Sequence, residues 1–346
     1  MFGEFVERYV LDAAVTAQAR RPGSVDPIVR LSADDMVKVN ALITDRMQSD
    51  VAIIPALADH LIAAGGKRLR PLLTVAAARL AGASDDNCLK LAAAVEFIHT
   101  ATLLHDDVVD GSQLRRGKVA AHLIWGGAQS VLVGDFLFAR AFELMVETGS
   151  MTALEILARA SRVIAEGEVL QLTRSHDLNL SQDLYIEIIG AKTAELFAAA
   201  AEAGAVSAEV ETVKTAALRA YGMNLGLAFQ LVDDALDYGG TTEALGKNAG
   251  DDFREGKATL PLLLAIARSG AKETEFWERT VGRREQTDAD FARVRELMVG
   301  AGAIEATLNL AADYAEAAKA ALKGFPANDW RDALEQLADF SVSRRA

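Results

Sequence analysis

Apolar residues recur at three- and four-residue spacing along most of the chain after residue 31, which is the pattern of amphipathic helices. No segment shows the strict alternation of apolar and polar residues that marks a half-buried strand. Glycines separate the periodic segments and leave short connections, as between packed antiparallel helices. The pattern predicts an all-α helical bundle whose main helices cover residues 50–64, 70–82, 86–110, 119–147, 151–172, 181–203 and 207–238, followed by shorter helices to residue 343.

We divide the chain into a peripheral N-terminal arm, residues 1–30, and one all-helical domain, residues 31–346. The arm combines a short amphipathic stretch with a turn sequence, RRPG, at residues 20–23. No later segment has the composition of a flexible linker. A single domain is therefore the simplest organisation for the rest of the chain.

The composition limits the kinds of partner and compartment. With 346 residues and 51% hydrophobic content the chain can bury a large core, whereas its net charge of −13 argues against nucleic acid as a partner. No run reaches the roughly 18 uncharged apolar residues that span a bilayer, and the N-terminus lacks the pattern of a secretory signal. The lone Cys88 agrees with a reducing compartment. We therefore predict a cytoplasmic protein without an integral membrane segment.

An aspartate-rich pentapeptide occurs twice, as DDVVD at residues 106–110 and as DDALD at residues 233–237. We call these the first and second aspartate motifs. Each follows a long apolar helical run, and the glycines after them, Gly111 and Gly239, mark helix C-terminal ends. The helix dipole already disfavours negative charge there, so the six carboxylates require cations nearby.

The spacing within each motif predicts which carboxylates act together. The first and fifth residues of a helical pentapeptide lie on one face, which pairs Asp106 with Asp110 and Asp233 with Asp237. Mg²⁺ is usually bound by one or two carboxylates, while substrate phosphates complete its octahedral coordination. The doubled motif therefore predicts a diphosphate that is bound through magnesium. Two solvated acidic helix ends are the alternative, and the matched setting of the two copies argues against it.

Two basic clusters could bind the same phosphates. Residues 65–71 (GGKRLRP) place three cations on a glycine-containing turn before a helix that we predict to begin at Pro71. Helix N-termini attract phosphate through their exposed N–H groups. The second cluster, Arg115, Arg116 and Lys118, begins five residues after the first motif. A generic calcium-binding helical protein would need neither cluster, so this alternative is disfavoured.

In this order, the motifs resemble the series found in trans-polyprenyl diphosphate synthases, in particular the long-chain members. The resemblance covers about residues 50–262, and the order and spacing of the motifs are more specific than any single one. The segments that carry it are residues 65–71 (GGKRLRP), 99–110 (HTATLLHDDVVD), 115–117 (RRG), 134–135 (GD), 192–193 (KT), 230–237 (QLVDDALD) and 256–261 (GKATLP).

The resemblance implies a fold and a set of site residues. In the family the bundle surrounds a deep central cavity, and the two aspartate motifs face each other across its mouth. About three Mg²⁺ ions are implied, bound by Asp106, Asp110, Asp233 and Asp237. The implied catalytic residues are Asp106, Asp107, Asp110, Asp233, Asp234, Asp237, Lys192 and Lys257. The implied allylic diphosphate ligands are Arg115, Lys192, Thr193, Gln230, Lys247 and Lys257, and the implied isopentenyl diphosphate ligands are Lys67, Arg70, His99 and Arg116.

The same resemblance implies that an allylic diphosphate, farnesyl or geranylgeranyl, is extended by successive isopentenyl units in the all-trans configuration. Short-chain members carry an aromatic residue at the fifth position before the first motif, where this chain has Ala101. Ala101 and Thr102 lie one helical turn before Asp106 and would border the tail cavity. The small Ala101 predicts a long product, C40 to C50, of the kind used for ubiquinone side chains. The family also implies a homodimer, and a lipophilic product suggests transient membrane contact during release.

Three other functions fit parts of the sequence. A synthase of shorter products, C15 to C20, would follow if other residues closed the cavity. A non-catalytic partner subunit of a heteromeric prenyl synthase would typically lose an aspartate motif or the basic residues, but both are present here. A terpene cyclase usually carries an Asn/Asp-Asp-x-x-Ser/Thr-x-x-x-Glu motif, and in this chain Asp233 and Asp234 are not followed by Ser/Thr and Glu at the required spacing.

Overall fold

Helices form nearly all of the regular structure in the computed structural model, which describes residues 23–63, 67–208, 210–239 and 250–344. The predicted all-α class is confirmed. Two π-helical segments, Gly190–Ala194 and Glu278–Gly282, and a 3₁₀ turn, Leu322–Gly324, continue or join the helices. The α-helices are α1 (Asp26–Leu31), α2 (Ala33–Arg46), α3 (Ile53–Ala63), α4 (Leu69–Ala81), α5 (Asn87–Val109), α6 (Ala121–Trp125), α7 (Gly127–Glu147), α8 (Met151–Thr173), α9 (Gln182–Ile189), α10 (Glu195–Val206), α11 (Thr212–Gly239), α12 (Asp251–Glu255), α13 (Leu260–Ala267), α14 (Thr274–Trp277), α15 (Asp288–Gly300), α16 (Ala303–Ala321) and α17 (Asp329–Ser343).

Two predicted helices are interrupted in the structure. The predicted helix 119–147 is divided into α6 and α7 at Gly126, whose φ of 100° lies in the left-handed region that favours glycine. The predicted helix 181–203 continues as α9 and α10 through the π-helical turn Gly190–Ala194. Such turns are frequent at functional sites, because the extra residue changes the direction of the side chains beside it.

A short β-hairpin corrects the expectation that the chain has no strand. Strands β1 (Leu114–Arg115) and β2 (Lys118–Val119) pair antiparallel. The turn residues Arg116 and Gly117 have φ values of 51° and 75°, the positive pair that a type I′ hairpin turn requires. Strands of two residues are too short to show alternation in the sequence, which is why the pattern missed them.

The start of α4 also differs from the prediction. The helix begins at Leu69 rather than at Pro71, and Arg68 precedes it with a left-handed φ of 45°. Pro71 still lies in the first turn, where its missing N–H removes no helical hydrogen bond. Residues 64–66, which include the two glycines of this basic cluster, lie outside the described residues.

Helix α10 lies between the two helices that end in the aspartate motifs. It packs against α5 and α11, and α4 and α8 also contact it. The alanines at positions 198–201 are fully buried, so neighbouring helices approach α10 from several sides. Gly222 on α11 permits this approach, because a Cβ there would lie 2.3 Å from the carbonyl oxygen of Phe197. The packing brings the C-terminal ends of α5 and α11 to one cavity.

Part of the predicted N-terminal arm packs onto the bundle. Helix α1 contacts α2, α4 and α17, and Ile28 within it is fully buried. Residues 1–22 lie outside the described residues, so the division at residue 30 stays a prediction. Across the ranges that the structure describes, no helix combines the length and the apolar character needed to cross a bilayer.

Candidate active site

One large cavity brings together most of the residues predicted to bind substrate. Its volume is about 840 Å³. The predicted residues that line it are Lys67, Arg70, His99, Thr102, Asp106, Asp110, Arg115, Arg116, Lys192, Thr193, Gln230, Asp233 and Lys257. Of the other predicted residues, Lys247 lies outside the described part of the chain. The remaining ones, which do not line this cavity, are Ala101, Asp107, Asp234 and Asp237.

Helix α5 presents one face to the cavity along its C-terminal half. Residues on this face recur at intervals of three or four positions, as the helical period requires. The periodicity explains why the first and fifth aspartates of the first motif point inward. The residues on this face are Glu96, His99, Leu103, Asp106 and Asp110.

Asp107 points away from the cavity and holds the hairpin in place. It is 1% exposed, and its Oδ1 accepts a hydrogen bond from Arg115 Nε at 2.8 Å and another from Nη2 of the same residue. Arg115 itself lines the cavity. Asp107 thus orients a cation of the cavity wall and presents no carboxylate to its interior.

Asp106 and Asp110 face the cavity beside lysines. Lys257 Nζ donates a hydrogen bond to Asp110 Oδ2 at 2.8 Å. Burial opposes the charge on Lys257, but nearby carboxylates, chiefly Asp252 and Asp110, outweigh burial and raise the pKa of this lysine above its ordinary value. Burial raises the pKa of Asp106 to about 7, although Lys192 opposes the rise. A cation brought to Asp106 would lower that pKa again.

The π-helical turn between α9 and α10 carries Lys192 and Thr193 to the cavity. Lys192 Nζ lies 2.5 Å from Glu168 Oε1 and donates to Gln171 Oε1 at 2.7 Å, both on α8. Gly167 lets α8 approach this turn, since a Cβ there would lie 2.8 Å from the backbone nitrogen of Lys192. These contacts fix the lysine to the cavity wall.

The second aspartate motif is more enclosed than the first. Asp233 lines the cavity, and Arg344 Nη1 donates to its Oδ1 at 2.8 Å. Arg344 also stacks on Phe229, with 3.6 Å between the guanidinium carbon and the ring centroid. Asp237 is 0% exposed, and the backbone N–H of Asp252 donates to its Oδ2 at 3.2 Å. In this motif, therefore, the first aspartate alone lines the cavity.

The basic end of the cavity contains an arginine and histidine pair. Arg70 Nη1 lies 3.2 Å from His99 Nε2, and the Arg70 guanidinium stacks 4.3 Å from the centroid of Phe197. Burial lowers the pKa of Arg70 to about 10, which leaves it charged at pH 7. Burial, together with Arg70, holds the pKa of His99 well below its usual range. His99 is therefore neutral at pH 7 and accepts a hydrogen bond from Arg70.

Most of the sequence matches one enzyme family. The profile of the family described as Polyprenyl synthetase covers residues 51–298. The chain belongs to the polyprenyl synthetase family. Among its relatives, the octaprenyl diphosphate synthase of Escherichia coli (strain K12) is 45% identical over 93% of this chain and 99% of its own length.

Solved structures of polyprenyl synthetases agree with this membership. A polyprenyl synthase from Caulobacter crescentus CB15, complexed with calcium and isoprenyl diphosphate, is 82% identical, with a TM-score of 0.93 over 94% of this chain and 100% of that chain. A decaprenyl diphosphate synthase from Rhodobacter capsulatus is 50% identical, with a TM-score of 0.89 over 92% and 98%. The predicted family and enzyme class, a trans-polyprenyl diphosphate synthase, are confirmed.

Sequence reasoning missed several cavity residues of this polyprenyl synthetase. Burial raises the pKa of Glu96, and the neighbouring Arg68 and Arg70 oppose the rise. Its position three residues before His99, on the same helical face, was a signal that could have identified it. Glu168 has no motif around it, and only the packing of α8 brings it to the cavity.

The accessible carboxylates suit hard cations without forming a closed metal cage. Within the part of the chain that the structure describes, no group of three His, Cys, Asp or Glu side chains is arranged to hold a metal ion. Asp106, Asp110 and Asp233 nevertheless offer oxygen ligands from two helices to one cavity. Mg²⁺ usually keeps water and phosphate among its ligands, so this open arrangement fits a metal that binds together with a diphosphate.

Proposed function

We propose that this polyprenyl synthetase is a Mg²⁺-dependent long-chain enzyme that condenses farnesyl or geranylgeranyl diphosphate with successive isopentenyl diphosphates. The product would be an all-trans C40 to C50 polyprenyl diphosphate for quinone side chains. The observation that carries the proposal is one cavity of about 840 Å³ that three aspartates of the two motifs line together with six predicted cations, Lys67, Arg70, Arg115, Arg116, Lys192 and Lys257. A cytoplasmic location is part of the proposal and rests on the lone, buried Cys88.

The allylic diphosphate would lie between the two aspartate motifs. Asp106, Asp110 and Asp233 would hold Mg²⁺ there, and the bound ions supply positive charge to the departing pyrophosphate. Lys192 and Lys257 add charge from the protein, because both line the cavity beside the carboxylates of the first motif. Fixed charges of this kind take the place of the water that would otherwise stabilise the leaving group.

Asp237, the fifth residue of the second motif, is not accessible to a metal ion in this structure. Asp237 is covered by the segment that begins at Gly250, whose N–H donates to the Asp237 carbonyl oxygen at 2.9 Å. It would become a metal ligand only if this segment moved away on substrate binding. We assign Asp107 and Asp234 to the orientation of their neighbours, since neither lines the large cavity.

Isopentenyl diphosphate would bind at the basic end of the cavity. Lys67, Arg70 and Arg116 line this region and carry the charge that a diphosphate requires. His99 would orient Arg70 through their 3.2 Å contact without adding a charge of its own. A neutral imidazole at this position leaves the arginine charge available to phosphate oxygens.

The reaction needs a carbocation that meets no water. Ionisation of the allylic C–O bond leaves pyrophosphate, and the terminal carbon of the isopentenyl double bond attacks the cation. The released pyrophosphate would then take a proton from the new cation, which regenerates an allylic diphosphate that can react again. Ile164, Phe197 and Phe229 line the cavity with weakly nucleophilic surface, and two diphosphate sites in one cavity bring the reacting carbons together.

The proposed product length depends on α5. Thr102 lines the cavity, whereas Ala101 is fully buried in the core. Relatives named for octaprenyl and decaprenyl products support a long chain. We expect Ala101→Phe to shorten the products, because a ring at this position would take up space along α5 that a tail requires. Chromatography of dephosphorylated products checks this, with Ala317→Phe on the exposed face of α16 as the control. An unchanged product ladder in Ala101→Phe would refute the assigned role.

A homodimer and transient membrane contact during product release complete the proposal. Helix α7 exposes large apolar side chains, with Leu132 66%, Phe142 41% and Val146 63% exposed. Apolar surface of this kind marks interaction sites, and a second copy of the chain would cover it. We expect Leu132→Glu to lower the mass measured by light scattering from that of a dimer to that of a monomer. A monomeric parent protein would contradict the dimer.

An elongation assay tests the proposed activity. Purified protein is incubated with farnesyl diphosphate and labelled isopentenyl diphosphate, with Mg²⁺ or with a chelator, and the dephosphorylated products are resolved by length. We expect a C40 to C50 ladder that requires Mg²⁺ and disappears in Asp106→Ala but not in Asp313→Ala, which changes an exposed residue of α16. A C15 to C20 product would contradict the chain length. No elongation by the parent would favour a non-catalytic partner subunit.

A further inference from the structure

A chain of hydrogen bonds connects α9 to the cavity wall. Tyr185 on α9 donates its hydroxyl hydrogen to Asp234 Oδ2. Gln230 Nε2 donates to Asp234 Oδ1 at 2.7 Å, and Thr193 Oγ1 donates to Gln230 Oε1 at 2.9 Å. Tyr185 and Asp234 are each 3% exposed, whereas Thr193 and Gln230 line the large cavity. The chain therefore joins a buried acid to the surface that faces substrate.

The carboxylate of Asp234 fixes the direction of the hydrogen bonds in this chain. Both carboxylate oxygens of Asp234 accept hydrogen bonds, one from Tyr185 and one from Gln230, so the Gln230 amide turns its nitrogen toward Asp234 and its oxygen toward Thr193. An amide oxygen also only accepts, so Thr193 must donate its single hydroxyl hydrogen to Gln230. The Thr193 oxygen is then left with lone pairs for the cavity.

We propose that Tyr185 and Asp234 are positioning residues that make Thr193 a hydrogen-bond acceptor at the cavity wall. Phosphate oxygens are themselves acceptors, so an accepting Thr193 would not bind the allylic diphosphate through its hydroxyl hydrogen. Thr193 instead faces a part of the bound substrate complex that carries a donor hydrogen or positive charge. This inference rests on the proposed function, because Thr193 and Gln230 line the cavity in which the proposal places the allylic diphosphate.

Tyr185 contributes the first donor of the chain. Its hydroxyl holds one carboxylate oxygen of Asp234, while the other oxygen accepts from Gln230. Asp234 lies on α11, Tyr185 on α9 and Thr193 on the π-helical turn, so the chain also ties three separate elements together. A rigid carboxylate transmits its polarity better than a mobile one, because the direction of each bond depends on the geometry of the one before it.

A charge exchange between Asp234 and Gln230 tests the polarity. Gln230→Glu places a second carboxylate against Asp234, so we expect both the melting temperature and kcat to fall, because like charges would share one contact. Asp234→Asn introduces an amide that can also donate, which allows Gln230 to reverse and Thr193 to donate into the cavity. We expect this variant to lose about 100-fold in kcat.

The double variant Asp234→Asn/Gln230→Glu restores the direction of the hydrogen bonds in the parent protein. The carboxylate now lies at position 230 instead of position 234. The introduced asparagine can donate to the introduced glutamate, which can accept from Thr193 on its other oxygen. We expect the melting temperature to rise above that of Gln230→Glu, and kcat to recover about tenfold relative to Asp234→Asn. A double variant that is no better than either single variant would overturn the proposal, as would full activity in Asp234→Asn.

Tyr185→Phe is a second and milder variant that retains the ring. We expect kcat to fall about tenfold. KM for isopentenyl diphosphate should stay unchanged, since none of the four hydrogen-bonded residues, Tyr185, Asp234, Gln230 and Thr193, lies at the basic end of the cavity. Should Asp234→Asn fail to fold, an unchanged kcat in Tyr185→Phe would overturn the proposal. The melting temperatures report the polarity even if the parent does not elongate, so failure of the proposed function is distinguishable from failure of this inference.

Discussion

The two aspartate motifs share a sequence pattern but differ in what they offer the cavity. In each motif the first aspartate lines the cavity and the second is held by donors of the protein, with Asp107 1% and Asp234 3% exposed. The fifth positions differ. Asp110 lines the cavity, whereas Asp237 is fully buried under residues 250–252.

This difference shows that the direction of a side chain and its accessibility have separate causes, although both are usually inferred from the motif. Helical spacing determines the direction of a side chain, and this spacing is the same in the two motifs. Packing of a distant segment determines whether the side chain is accessible, and such a segment covers the fifth aspartate of the second motif only. The first motif therefore offers two carboxylates to cations and the second motif offers one. We expect substitutions in the two motifs to have unequal consequences.

The largest effect is expected from the first motif. Asp106→Asn removes a charge that faces the cavity, and we expect kcat to fall about 10³-fold, because charge stabilisation of the leaving group is the main contribution of such a site. Steady-state kinetics at saturating Mg²⁺ measures the effect. Asp313→Asn, on the exposed face of α16, is the matched control and should retain parent activity. A loss of less than about tenfold in Asp106→Asn would show that the charge of Asp106 does not contribute to stabilising the leaving group.

A pair of substitutions in the second motif tests the difference between its two ends. We expect Asp233→Asn to lower kcat about 100-fold with little change in melting temperature. Asp237→Asn should instead lower the free energy of unfolding by about 1–3 kcal/mol, because it disturbs a buried hydrogen bond. Steady-state kinetics and thermal unfolding of both variants measure the change in kcat and the change in the free energy of unfolding. Equal losses of kcat at the two positions would show that Asp237 reaches the cavity during turnover.

The first motif should also carry a pH dependence. Burial raises the pKa of Asp106 to about 7, so in the absence of cations the carboxyl is protonated below that pH and ionised above it. A metal must displace this proton, and we expect Mg²⁺ affinity to fall about tenfold for each pH unit below 7 and to level off above it. Calorimetric titration at several pH values measures it. The same affinity at pH 6 and pH 8 would refute this assignment.

The smallest effect is expected from the counter-ion of the second motif. Arg344 Nη1 donates a hydrogen bond to Asp233 Oδ1 at 2.8 Å, so a metal cation must compete with Arg344 for this carboxylate. Asp233 is 42% exposed, so the pair contributes no more than about 1 kcal/mol, and Arg344→Ala should tighten Mg²⁺ binding at most about fivefold. Titration of the variant in the absence of substrate measures this. Weaker Mg²⁺ binding in the variant would show that Arg344 does not compete for Asp233.

Local spacing was sufficient to predict part of the candidate site. The inward direction of Asp106 and Asp110 follows from the helical period, and His99 follows from the same rule because it lies two turns earlier. The covering of Asp237 depends on residues 250–252, which lie more than a helical turn beyond the motif. No pattern within the motif could reveal it.

Other parts of the site depend on packing between elements. The contact between Lys192 and Glu168 joins a π-helical turn to α8, and Tyr185 reaches Asp234 from another helix. The helical period predicted the existence of these helices but not their mutual approach. The π-helical turn was also missed, because one extra residue in a turn leaves the apolar spacing nearly unchanged.

Metal positions in a complex with an unreactive allylic diphosphate analogue test the central claim most directly. Anomalous scattering from Mn²⁺ in place of Mg²⁺ locates each ion in crystals of the parent protein. We predict ions bound by Asp106 and Asp110 on one side and by Asp233 on the other, with none bound by Asp107 or Asp234. Ions bound by Asp107 or Asp234, or a diphosphate held in the cavity without any ion at these carboxylates, would contradict the account.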